Sequence, residues 1–262
     1  EWPVHEIANV GCIERACAWD VDNDGVIEIV ANTPGSPLRV YRLNRDANGK
    51  GTGSFEGHVI YDQPQGHGLG FGDVNGDGRG DFILPNGWLE APEDIYGGQW
   101  VFHQEFDLGG ASVPVLVVDV NGDGLNDLIV GQAHGYGLDW WEQGRDASGS
   151  RTWKKHPIDP FNSQYHDLIW ADVDGDGECE LVTGKRYRAH CGADPGEYDD
   201  YGICYFKWNG ESFTKIPVIY GPARESTGVG IYFAVADLRN VGRLDIVAPG
   251  KDGLYVFFNE GL

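Results

Sequence analysis

Four near-copies of one nine-residue acidic loop constrain this chain more than any other feature. They read DVDNDGVIE at 20–28, DVNGDGRGD at 73–81, DVNGDGLND at 119–127 and DVDGDGECE at 172–180. Each places oxygen side chains at offsets 0, 2, 4 and 8, with Gly at offset 5. A hard cation such as Ca²⁺ takes six to eight oxygens, and the Gly allows a sharp turn. The expected calcium ligands are Asp20, Asp22, Asp24 and Glu28; Asp73, Asn75, Asp77 and Asp81; Asp119, Asn121, Asp123 and Asp127; and Asp172, Asp174, Asp176 and Glu180. A fifth copy, DLRNVGRLD at 237–245, keeps the frame but not the ligands. The loops recur about every 50 residues, the mark of a blade or coil array.

Each unit repeats a pattern of strands. An inner strand enters the loop, as at 67–72 and 166–171, and a β-branched or apolar strand leaves it, as in Ile29-Val30, Phe82-Ile83-Leu84 and Leu128-Ile129-Val130. An aromatic strand and an outer strand follow; in the second unit the third strand is short, near 87–92. Arg45-Asp-Ala-Asn-Gly49 and Arg145-Asp-Ala-Ser-Gly149 read as hairpin turns copied two units apart. The fifth unit stops after its third strand, and residues 2–7 look like a lone outer strand able to complete it. Radial repetition of this kind gives an all-β, five-bladed β-propeller over residues 1–262, closed by the N-terminal strand. More blades would be expected if the chain is trimmed ahead of Glu1. A chain that opens on Glu1 and has no Met reads as a mature or trimmed product.

Composition narrows the partners. The net charge of −22 argues against nucleic acid, which needs a basic face. Fourteen of the sixteen loop ligands are acids, so four bound Ca²⁺ would offset roughly eight charges. No apolar run approaches ~18 residues, so no membrane span is expected. No signal-like segment opens the chain. The five cysteines at 12, 17, 179, 191 and 204 match no zinc spacing; Cys191 and Cys204 could bridge one long loop.

The DVNGDG loops followed by Asp and two apolar residues resemble FG-GAP/VCBS propeller repeats. Such repeats occur in integrin α heads, certain fungal lectins and several polysaccharide lyases. The resemblance implies calcium-stapled blades, carbohydrate or protein recognition, and a secreted or periplasmic location, with a monomer expected. It does not by itself assign an activity.

The loops fall on one face of such a wheel, so the repeat frame sends another set of residues to the opposite face. Six residues before each first loop acid stand Glu14, His67, Val113, His166 and Ile231. Five and seven residues past each second-strand acid stand Asn86 and Trp88, Gln132 and His134, and Lys185 and Tyr187. Arg15, Glu90, Tyr136, Arg186, Arg188, His190, Arg224 and Lys251 crowd the same rim. Imidazoles and a phenol suit proton transfer near neutrality, cations suit a carboxylate, and aromatic rings suit a sugar face.

The favoured expectation is therefore β-elimination on a uronate-containing glycan. His166 or His67 would serve as base, with His134 beside them in the catalytic set, Tyr187 as acid, and Arg186 and Arg188 on the carboxylate. Arg15, Asn86, Trp88, Glu90, Gln132, Tyr136, Lys185, His190, Arg224 and Lys251 would bind substrate. Propeller lyases such as ulvan lyases are similar in using His, Tyr and Arg this way. A lectin-like sugar-binding propeller is the alternative. A further one is a metal-dependent keto-sugar dehydratase or isomerase, with Zn²⁺ or a similar ion on His67, His134 and His166 and Glu14 or Glu90 as fourth donor. A flat protein-recognition head is the last.

Overall fold

The structure, a computed structural model, describes residues 4–261. Five antiparallel sheets follow one another along the chain in a ring, the five-bladed propeller the repeats imply. Blade one contains β1 (Arg15–Trp19), β2 (Glu28–Asn32), β3 (Pro37–Arg45) and β4 (Gly51–Pro64). Blade two contains β5 (Gly70–Gly72), β6 (Asp81–Leu84), β7 (Gly87–Glu90) and β8 (Val101–His103). Blade three contains β9 (Leu116–Val118), β10 (Asp127–Gly131), β11 (Leu138–Arg145) and β12 (Arg151–Pro157). Blade four contains β13 (Tyr165–Ala171), β14 (Glu180–Lys185), β15 (Tyr201–Trp208) and β16 (Phe213–Gly221). Blade five has three strands, β17 (Ala234–Ala236), β18 (Asp245–Gly250) and β19 (Gly253–Phe257).

The second strands explain why the sheets stack. β6 and β10 are apolar without alternation and buried along their whole length, because each blade is covered on both faces by its neighbours. Hydrophobic clusters fill the four successive interfaces between blades. Near the axis the backbones come close enough that only glycine fits. A Cβ on Gly131 would lie 2.1 Å from the Tyr165 carbonyl, and one on Gly228 would lie 2.0 Å from that of Lys185.

The closing strand expected at residues 2–7 does not form over its described part. Residues 4–7 adopt no strand, and residues 1–3 lie outside the described residues. The His5 ring lies against Gly53 of β4, where the missing side chain leaves room on an edge strand. The seam between blades five and one is instead bridged by Arg15, stacked 4.7 Å over the Tyr232 ring. All five cysteines are free; Cys204 is buried and Cys191 exposed, so they form no bridge.

The acid at offset 8 is a main-chain brace. Asp81 is fully buried and accepts from the backbone N–H of Val74 and of Ala91, each at 2.9 Å. Asp127 does the same for Val120 at 3.2 Å and Gln143 at 2.7 Å. Each carboxylate thus ties its own loop to the end of the third strand. Burial pushes both carboxyls up to about 6, against the pull of these hydrogen bonds. In the degenerate fifth loop, Arg239 supplies the positive charge within the protein. Its Nη2 donates to Asp245 Oδ1 at 3.0 Å and to the Asn259 carbonyl at 2.7 Å, so the frame survives without a ligand set.

Replacing Asp81 or Asp127 by Ala orphans two buried N–H groups. The expected loss is about 2–5 kcal/mol per variant by urea unfolding. It should persist in chelator, because the brace is to main chain; a loss that vanishes without calcium would contradict it.

Candidate functional site

The opposite face holds a dense imidazole cluster at the hub. His166 opens the inner strand of blade four and His67 precedes that of blade two. Glu14 precedes the inner strand of blade one, and His134 follows the second strand of blade three. One ligand atom from each of Glu14, His67, His134 and His166 lies within 4.8 Å of the others. The three rings stand nearly perpendicular to one another, with centroids 4.5, 5.1 and 5.8 Å apart.

The hydrogen bonds fix how these rings present themselves. His67 Nδ1 lies 2.9 Å from the Ala111 carbonyl, which can only accept. His134 Nδ1 lies 3.1 Å from Asp194 Oδ2, again an acceptor. Both Nδ1 atoms therefore carry a proton, and in a neutral ring each Nε2 then presents a lone pair. Those two Nε2 atoms face each other at 2.9 Å. Two lone pairs at that distance repel unless a cation or proton lies between them. Glu14 Oε2 lies 3.4 Å from His67 Nε2 and 3.8 Å from His166 Nε2.

His166 is wholly buried, and neither of its ring nitrogens has a partner. Burial first, then the charge of Arg186, pushes its pKa down to about 2. Burial also lowers His134, against the pull of Asp194. Three imidazoles converging with one carboxylate are the donor set of a Zn²⁺-type ion.

A cavity of about 370 Å³ lies between blades four and five on this face, lined by none of the four cluster residues. Arg186, Tyr187, Tyr232 and Lys251 are among its walls. Arg186 Nη1 is buried without a hydrogen-bond partner. Tyr187 packs on Tyr201 at 4.6 Å.

Several rim residues expected to bind substrate have other work. Trp88 is buried, stacked 4.4 Å from His103 and 4.6 Å from the Arg151 guanidinium. The third-strand register puts it in the core rather than at the mouth. Glu90 accepts from His103 at 2.7 Å on the outer strand. Asn86 is exposed in the short turn between β6 and β7, and the Gln132 amide donates to the Leu108 carbonyl. Lys185 is buried, its ammonium held by the carbonyls of Gly196 and Asp199. Arg224 is exposed and paired with its neighbour Glu225. Arg188 is exposed, and Tyr136 donates to Asp199 at 2.6 Å.

Arg15 joins blades instead of reaching for ligand. It donates to the Val113 carbonyl and to Asp167. Asp167 and Tyr232 escaped the sequence reading, which followed only loop-locked offsets; an acid beside His166 was the available signal.

On the loop face, Asp20, Asp22 and Glu28 bring one oxygen each within 4.8 Å, as do Asp172, Asp174 and Glu180. In both loops the offset-8 Glu uses one oxygen on a backbone N–H; Glu28 Oε1 is left buried without a hydrogen bond, and Glu180 Oε1 faces Lys207 Nζ at 3.4 Å. The shorter Asp81 and Asp127 use both oxygens on main chain.

The FG-GAP-like repeat model matches residues 20–84 and 119–183, about half of the chain. This protein is a β-propeller of FG-GAP-like repeats. No curated protein matches it by sequence. Among solved structures it is similar to an Agrocybe aegerita lectin whose title concerns specific recognition of non-reducing terminal N-acetylglucosamine. The identity is 17% and the TM-score 0.56, over 94% of this chain and 63% of that one. Among the described residues, no helix is long and apolar enough to cross a membrane.

His166 gives a pH signature. Its folded pKa lies below the unfolded value near 6.5, so the unfolded state binds the extra proton. The stability contribution is complete above pH ~6.5 and is lost as pH falls toward 2. Relative to His166→Gln, the wild type should lose up to about 1.4 kcal/mol per pH unit below 6. Parallel unfolding curves from pH 7 to 4 would exclude a neutral buried His166.

Proposed function

We propose that the hub is a metal-dependent carbohydrate site, with Glu14, His67, His134 and His166 holding a divalent transition ion and the neighbouring cavity holding the sugar. The 2.9 Å approach of His67 Nε2 to His134 Nε2 carries this reading, because it calls for a metal ion or a proton between the two nitrogens, and Glu14 and His166 converge on the same point. The unpartnered nitrogens of buried His166 add to it. An ion there supplies Lewis acidity toward a carbonyl or carboxylate oxygen.

The chain's own residues suit elimination from a sugar that carries such a group. Arg186 offers its free Nη1 to the anionic oxygen that grows as the adjacent C–H is lost. His190, with Nδ1 2.9 Å from Asp194 Oδ1, has its proton fixed on that nitrogen and can accept one at Nε2. Tyr187, in the cavity wall, can donate to the departing oxygen. Tyr232 offers a ring face to the sugar. Keto-sugars and uronates are both such substrates.

The second reading is sugar binding without turnover, favoured by the lectin among similar folds. We further assign Ca²⁺ to the acidic loops, with the best-converged donors in the first and fourth.

Zn²⁺ or Co²⁺ titrated calorimetrically should bind the wild type, and His67→Ala or His134→Ala should weaken binding by at least 100-fold. A panel of polyuronates and keto-sugars should then show new absorbance at the unsaturated-uronate or enone bands, lost in the same variants. Saturable sugar binding with no absorbance change selects the second reading. Wild-type affinity for metal in both variants rejects the hub assignment.

Calcium is tested separately. At 100 times its Kd, each ion should stabilise the fold by about 2.7 kcal/mol. Glu28→Gln and Glu180→Gln should each reduce that gain, read as the Tm difference between calcium and chelator.

A further inference from the structure

We infer that the insertion between β14 and β15 is a strap drawn onto the hub by the metal, with Asp194 as its positioning residue. This rests on the metal reading of Glu14, His67, His134 and His166. Residues 189–201 have no counterpart in the other units. Asp194 is the strap's contact with the ligand set. Its side chain is only 10% exposed, with Oδ2 3.1 Å from His134 Nδ1 and Oδ1 2.9 Å from His190 Nδ1. The His190 ring lies parallel to that of His134, 4.8 Å away. Burial alone would raise the Asp194 carboxyl, but the hydrogen bonds from His190 and His134 hold it below its usual range.

A carboxylate on the far nitrogen of a ligating imidazole fixes the tautomer, aims the ring and raises its basicity. Asp194 does each of these for His134. It also imposes the lone pair of His134 Nε2 on that of His67. With both rings neutral, the closed strap is therefore penalised unless a proton or metal ion lies between the two nitrogens, and a bound metal ion favours it. The backbone adds to the imbalance: Arg188, His190 and Cys191 have φ of 49°, 36° and 54°, a region that side chains disfavour.

Most of the strap's remaining anchors hold its C-terminal side. Lys185 holds the Gly196 and Asp199 carbonyls, Tyr136 donates to Asp199, and Tyr201 donates to the Glu197 carbonyl at 2.7 Å. These lie on the C-terminal half; on the N-terminal side Lys251 donates to the Arg188 carbonyl at 2.6 Å and reaches Cys191 Sγ at 3.5 Å. The N-terminal half supplies Ala189 to the cavity wall, beside Arg186 and Tyr187. Metal binding would then complete the sugar cavity as well as the ion site. The coupling is reciprocal: whatever factor Asp194 adds to metal affinity, metal adds to closure.

The test uses the full chain in calcium-containing buffer, with Zn²⁺ titrated calorimetrically and hydrogen exchange followed over residues 189–201. The wild type should bind Zn²⁺ and slow exchange in the strap. Asp194→Asn, close in shape, and Asp194→Ala should bind Zn²⁺ about 10–100-fold more weakly. Both should lose the metal-dependent protection while keeping the metal-free Tm. Asp194→Glu should recover part of the affinity. Unchanged Zn²⁺ affinity in Asp194→Ala, or Zn²⁺ binding by the wild type with no change in strap exchange, overturns the strap and leaves the hub site standing. Absence of Zn²⁺ binding by the wild type removes both.

Discussion

The hub depends on one buried ion pair. Arg15, from the first strand of blade one, meets Asp167 of blade four, donates to the Val113 carbonyl of blade three and stacks on Tyr232 of blade five. Asp167 takes a second hydrogen bond from the Phe233 N–H, 2.9 Å away. Four blades thus meet at one guanidinium–carboxylate contact. A buried charge pair contributes net stability only when its remaining polar atoms are also satisfied; backbone groups do that for Arg15 Nη1 and Asp167 Oδ2, while Arg15 Nε stays buried without a partner. Burial still pushes the Asp167 carboxyl up to about 6, so the pair is held by the ring as much as it holds the ring. Since Asp167 adjoins His166, the contact also decides where that imidazole sits.

The two faces of the wheel solve opposite electrostatic problems. The loop face concentrates carboxylates and quiets them with backbone N–H groups, or with cations from within the chain. Lys207 reaches Asp174 and Asp176 in the fourth loop, Arg42 reaches Asp24 in the first, and Arg239 takes over in the fifth. The hub face concentrates imidazoles that burial keeps neutral. A neutral, lone-pair-rich cluster in a chain of net charge −22 suits a small cation well, since the surrounding field favours its approach.

Much of the candidate site was legible because the repeat supplies a coordinate frame. Glu14, His67 and His166 share one offset from the loops, and that offset places them at the same height on the axis. His134 occupies the other ring position, at the end of a second strand. Legibility failed where a residue obeys the interior of its own blade. Trp88 holds the same offset as His134 and Tyr187, yet it lies under His103 in the core. Lys185 reads as a rim cation but holds an insertion whose path no repeat predicts. The N-terminal segment has an outer strand's pattern, and pairing depends on which edge offers room, a property of the assembled ring.

The sequence alone determined the number of blades, the face carrying the acidic loops and the placing of Glu14, His67, His134 and His166 at the axis. These follow from local periodicity: offsets within a repeat are fixed by strand geometry, and equal offsets reach equal places in a ring. Only the tertiary structure decided that His67 and His134 meet Nε2 to Nε2, that Asp194 reaches back across sixty residues to fix one of them, and that Arg186 is left without a partner. Those facts depend on distances between blades, where angstroms separate a hydrogen bond from a repulsion, and no one-dimensional spacing encodes them.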